Sequence, residues 1–90
     1  MKNDNRKQFV TTPGGYGARI WLSSESPLDV RDFLSRNSKW QGSDKREGAR
    51  VSYEMCSNTN LDRVRATLVE MGMTDYTESQ EVMNDLTRWV

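Results

Sequence analysis

The 90-residue chain has no histidine, and this removes the commonest general base, the usual metal ligand and any imidazole-dependent triad. It has a single cysteine, Cys56, which excludes an internal disulfide or a thiolate metal cluster and fits a reducing, cytoplasmic setting. Apolar residues are scarce, at 34% against roughly 45–50% counting glycine in an average soluble domain. A chain so short and polar has material for one thin core and no second domain. No run approaches the roughly 18 consecutive apolar residues of a membrane span. The polar start, Met1-Lys2-Asn3-Asp4-Asn5-Arg6-Lys7, leads into no apolar signal segment, so neither a spanning nor an exported chain is expected. Lys and Arg total 13, as do Asp and Glu, so the net charge of zero excludes both a uniformly basic nucleic-acid coat and an acidic DNA mimic.

Catalytic furniture is equally sparse. Asp29 and Asp32 share a helix face but match no hydrolase spacing, and Cys56 beside Ser57 and Asn58 has no histidine to activate it. No D-x-D-x-D-G loop is present, so neither metal nor cofactor is predicted, and the chain reads as a non-enzyme. Pro13-Gly14-Gly15-Tyr16-Gly17 is dense in glycine, yet it lacks the phosphate-loop spacings and leads into a strand rather than a helix.

Residues 1–7 read as a flexible arm and residues 8–90 as one α+β domain. Gln8–Thr12 and Ala18–Ser23 are β-prone runs about the glycine-rich turn, predicting a hairpin. Alternation in the second run sets Ala18, Ile20 and Leu22 on one face and Arg19, Trp21 and Ser23 on the other. Ser26 as N-cap, Pro27 at the first position and Asp29 at the third predict a helix carrying Leu28, Val30, Phe33 and Leu34, with Asn37 as a left-handed cap. Asn37 to Gly48 then reads as a long polar loop. Ala49–Cys56 alternates as a strand with Val51, Tyr53 and Met55 inward. Thr59 or Asn60 caps a second helix with the stripe Leu61, Val64, Leu68 and Met71, stopped by Gly72. A further short strand is expected near Tyr76. Thr77 and Gln80 then form a capping box for a third helix bearing Val82, Met83, Leu86 and Trp89.

A weak repeat, Ala18-Arg19-Ile20 then Leu28-Asp29 against Ala49-Arg50-Val51 then Leu61-Asp62, suggests two strand–helix units. A crossover between them would make the strands from Ala18 and Ala49 parallel. The expected architecture is therefore a two-layer α+β sandwich, a small mixed sheet in the order β-β-α-β-α-α with helices on one face.

That architecture leaves an open sheet face bearing Arg19, Trp21 and Arg50, unless the N-terminal segment or the third helix folds over it. The polar loop carries Lys39, Trp40, Lys45 and Arg46. Aromatic and arginine side chains in such positions suit protein contacts, and the same pairing suits stacked single-stranded nucleic acid. The zero net charge conceals a polarity: residues 1–50 hold ten basic and six acidic groups, and residues 51–90 hold three and seven, balances of +4 and −4. A homodimer joining the basic half to the acidic third helix would follow from such a dipole. The leading expectation is a small protein-binding module, an inhibitor or adaptor of the kind bacteria and phages encode, with RNA binding on the open sheet as the alternative.

Overall fold

The computed structural model describes residues 5–13, 17–43 and 50–87, with backbone alone at Asn5, residues 40–43 and Arg50. Residues 1–4 of the expected arm lie outside the described residues. After a 3-10 turn at Asn5–Lys7 come β1 (Gln8–Pro13), β2 (Ala18–Ser23), α1 (Leu28–Asn37), β3 (Ser38–Ser43), β4 (Arg50–Met55), α2 (Leu61–Glu70), β5 (Thr74–Asp75) and α3 (Gln80–Thr87). The result is an α+β fold on one five-stranded mixed sheet, ordered β3-β4-β2-β1-β5. No helix among the described residues is long and apolar enough to cross a membrane.

The expected hairpin forms, with β1 antiparallel to β2 from Phe9 opposite Leu22 to Pro13 opposite Ala18. Residues 14–16 lie outside the described residues, and Gly17, just before β2, comes close to the end of β4: a Cβ on it would lie 3.1 Å from Ser57 Cα and 3.2 Å from the Cys56 carbonyl oxygen. A residue without a side chain is what allows that approach.

The parallel pairing expected between the strands from Ala18 and Ala49 does not occur, because β2 and β4 are antiparallel. The cause is the segment read as a loop. Residues Ser38–Ser43 form β3, which continues straight out of α1 and pairs antiparallel with β4. The crossover from β2 through α1 therefore delivers the chain to β3, and β4 returns as a hairpin between them. A second crossover, from β4 through α2, ends on β5, which pairs parallel to β1. The short strand expected near Tyr76 is β5.

The helix termini differ instructively from their expected caps. In α1 the cap position is Pro27, with extended backbone and no side-chain cap bond. Ser26 instead closes a turn through its N–H to the Ser23 carbonyl, while its own hydroxyl is buried without a partner. Asp29 Oδ1 accepts from Val30 N at 3.0 Å, supplying the carboxylate that a helix start favours. Asn37 is not left-handed, since the described residues include no non-glycine with positive φ. Its Nδ2 donates to the Phe33 carbonyl at 2.7 Å, and the chain passes directly into β3. In α2 the sequence signals hold. Asn60 Oδ1 accepts from Arg63 N, and Gly72 at φ 95° donates to the Val69 carbonyl while Met73 donates to that of Leu68, a Schellman ending.

Alternation on the central strands feeds two separate cores. On one face Phe9, Ile20, Leu22, Val51, Tyr53 and Met55 meet Val30 and Leu34 of α1, Val64 and Leu68 of α2, and Met73. Burial pushes the Tyr53 phenol above its usual range; Arg31 pulls the other way and Asp32 adds to the rise. Leu28, expected in the stripe of α1, is 64% exposed. On the opposite face Val10 and Trp21 meet Leu86 of α3, with Tyr76, Val82 and Met83 packed around them. Helices on one face thus describes α1 and α2, while α3 covers the other. With so few apolar residues, the aromatic on the second face draws the last amphipathic helix onto itself.

Candidate interaction surface

Of the residues expected on an open sheet face, Trp21 is 7% exposed beneath α3. Its Nε1 donates to Thr12 Oγ1 at 2.9 Å across the β1–β2 pair. Arg19 lies beside it, with its guanidinium carbon 5.7 Å from the indole centroid, within cation–π range. Arg19 also donates to Glu54 Oε1 at 2.7 Å and to Ser52 Oγ at 3.0 Å. The registers explain the grouping, since Arg19 stands opposite Glu54 and Trp21 opposite Ser52 on neighbouring strands. Glu54 is 1% exposed, and a carboxylate so deep is retained only when paired. The expectation of an exposed tryptophan flanked by arginines is therefore corrected: Trp21 is core and Arg19 is the counter-ion of a buried acid. Arg50 opens β4 opposite Ser23, and its side chain lies outside what is described.

The face is fastened by a polar clasp that the sequence reading missed. Thr77, expected to cap α3, turns back to the sheet: its Oγ1 accepts from Thr11 N at 3.1 Å and donates to Asp75 Oδ1 at 2.5 Å. Asp75 Oδ1 also accepts from Thr77 N, and Oδ2 from Arg65 Nε at 2.8 Å. The clasp thus ties α2, β5, β1 and the entry to α3 through one carboxylate. Burial alone would raise the Asp75 pKa, but the Thr77 hydrogen bonds and the Arg65 guanidinium outweigh it and hold the carboxyl below its usual value. The cap of α3 falls to Ser79, whose carbonyl accepts from Met83 N and whose Oγ accepts a long bond from Val82 N. In the sequence, Thr77 and Gln80 carried the capping-box spacing; the competing acceptor was Asp75, two residues upstream.

Lys39 and Trp40, expected on a loop, stand on β3 at the rim of the sheet. Lys39 is exposed. The register shifts between Ser38 and Trp40, so Lys39 is the extra residue of a bulge, and regular pairing then runs from Trp40 opposite Glu54 to Ser43 opposite Val51. Lys45 and Arg46 lie outside the described residues, so the basic group is placed only in part.

Among the described residues, concavities lie elsewhere. Phe33 and Asn37 of α1 face Thr59, Asn60, Arg63, Val64 and Thr67 of the α2 entry across a groove of about 490 Å³. Several of its polar groups are already engaged within their own helices: Asn37 with the Phe33 carbonyl, Asn60 with Arg63 N and Thr67 with the Arg63 carbonyl. A smaller hollow of about 200 Å³ is lined by Gly17, Ala18, Met55, the free thiol of Cys56, Ser57, Thr59 and Leu61. Among the described residues no group of three His, Cys, Asp or Glu is placed to hold a metal ion.

Compared with known proteins, the chain matches no family model, no curated protein and no solved structure.

Proposed function

We propose that this chain is a small protein–protein interaction module that works by occupying a larger partner, as an inhibitor or adaptor, and that it makes its contact along β3. One observation carries the reading: β3 is a six-residue polar strand at the rim of the sheet, paired on one side only among the described residues, bearing Lys39 and Trp40. A rim strand offers backbone donors and acceptors at fixed spacing, and tryptophan with basic neighbours is the composition of interface hot spots. Burial of Trp21 weighs against the alternative of single-stranded nucleic-acid binding. The base-stacking side chain which that alternative requires is engaged with α3 and Thr12.

Site-resolved crosslinking tests the reading. A photo-reactive residue replacing Trp40 is expected to capture a protein from lysate, while the same residue replacing Glu81, exposed on α3, is expected to capture none. Trp40→Ala should reduce recovery of that partner by at least about tenfold, in the range of a central interface aromatic. Capture from position 81 and not from position 40 would contradict the assignment.

A further inference from the structure

We propose that α3 is a lid over the Trp21 face of the sheet, latched by the Asp75 carboxylate, and that protonation of this carboxylate opens the lid while the α1–α2 side stays folded. The lid operates whether or not β3 contacts a partner. Two features make α3 separable. Its buried residue, Leu86, packs with Val10 and Trp21, and Tyr76, Val82 and Met83 close around them; none of these residues belongs to the core beneath α1 and α2. The eight residues of α3 are also fewer than the roughly 12–15 that an isolated helix needs in water. Away from β1 and β2, on which it packs, α3 has nothing to hold it helical, so opening takes the form of local unfolding of this one element.

The latch sits at the entry to the lid. β5 fixes the chain to β1, with Asp75 opposite Phe9 and Tyr76 N donating to the Phe9 carbonyl at 2.9 Å. The chain then turns toward α3, with Ser79 N donating to the Tyr76 carbonyl at 2.8 Å. Within that turn Thr77 Oγ1 donates to Asp75 Oδ1, which leaves its lone pairs for Thr11 N of β1. Asp75 Oδ2 meanwhile accepts from two nitrogens of Arg65, on α2. Protonation makes the carboxyl a weaker acceptor for Thr77 and removes the charge that Arg65 faces.

The groups around the carboxylate are Arg65 from α2, Thr77 from the entry to α3 and, through Thr77, Thr11 of β1; of these Arg65 alone carries a charge. Glu78, Glu81 and Asp85 are exposed at the start and on the outside of the lid. The contacts to Asp75 hold its carboxyl below the ordinary value despite burial. Opening returns it to that value, so protons bind the open form more tightly. Closure is favoured above about pH 3.9 and is lost as pH falls through the lowered value. The Asp75 side chain is 21% exposed, which gives a proton access to the closed form. Opening uncovers Trp21, 7% exposed when closed, with the Arg19 guanidinium carbon 5.7 Å from its ring centroid.

The test uses the full chain, isotope-labelled, with amide hydrogen exchange expressed as protection factors from about pH 6 to about pH 3. The Met83 amide, bonded to the Ser79 carbonyl, and the other α3 amides are expected to lose protection as pH falls, while those of β4 and α2 keep theirs. Over the same range Trp21 emission should shift to the red and become quenchable by acrylamide in a Trp40→Phe, Trp89→Phe background. Asp75→Asn should hold the lid open already at about pH 6, with no further change on acidification. Thr77→Val, which keeps the carboxylate, should lower α3 protection at that pH too. The wild-type titration requires no variant and decides the matter if Asp75→Asn fails to fold. Loss of protection in α3, β4 and α2 together, or an α3 that stays protected down to about pH 3, would overturn the lid. An α3 that opens in acid with the same pH dependence in Asp75→Asn as in the parent would overturn the latch, since exposed acids of the lid would then be the titrating groups.

Discussion

Gly17 shows how one residue sets the distance between two elements. Gly17 lies against the backbone at the end of β4, and the nearest atoms to an added Cβ are main-chain atoms that cannot swing aside. Gly17→Ala is therefore expected to destabilise the protein by about 1–3 kcal/mol, measured as a shift in urea midpoint at unchanged slope. Asp75 is the second such residue. Its carboxyl is held below the usual value of about 3.9 by Thr77 and Arg65 against the effect of burial. A depressed folded-state pKa adds stability that is present above the unfolded value and is lost as pH falls through the folded one. Asp75→Asn should accordingly be less stable than the parent at pH 7, with the gap closing below about pH 4; denaturant midpoints measured across pH 2.5–7 check this. A gap that stayed constant with pH would show that the clasp acts by shape rather than charge.

At the scale of elements, legibility followed the strength of the local signal. The hairpin, β4 and α2 carry alternation, helical stripes or a glycine stop, and each forms as those patterns dictate. β3 carries none of them: Ser-Lys-Trp-Gln-Gly-Ser has no apolar alternation to read, and what makes it a strand is backbone pairing with β4, a partner far along the chain. Missing that strand turned an antiparallel β2–β4 pair into an expected parallel one. It also moved Lys39 and Trp40 from a loop to the sheet. The site was legible as a set of residue types and not as a surface, since the side on which Trp21 stands is fixed by alternation but its cover is fixed by α3, far along the chain. That cover is an element-scale claim with its own test. Leu86 is the buried residue of α3, 4% exposed against Val10 and Trp21. Leu86→Ala is expected to cost about 2–4 kcal/mol. In a Trp40→Phe, Trp89→Phe background it should also red-shift Trp21 emission and raise its quenching by acrylamide. Unchanged quenching would mean that α3 is not what shields the indole.

For the whole molecule, the consequence is a division of labour between the faces and the rim. Both faces of the sheet are committed to packing, one to α1 and α2 and the other to α3, around cores that share no residue. A domain of this size has a total stability of roughly 5–13 kcal/mol, so neither face has much to give up for binding. The charge polarity of the sequence survives folding in part. Glu54 is neutralised by Arg19 from the basic half, while Asp75 pairs within its own half with Arg65.

The proposed function depends on Ser38–Ser43 being a strand paired on one side only among the described residues, and residue-by-residue amide hydrogen exchange measures that directly. The account predicts alternation along Trp40–Ser43, with amides directed at β4 protected and those directed outward exchanging quickly. Uniformly fast exchange through these residues would return the segment to a loop and contradict the fold and the proposed function together.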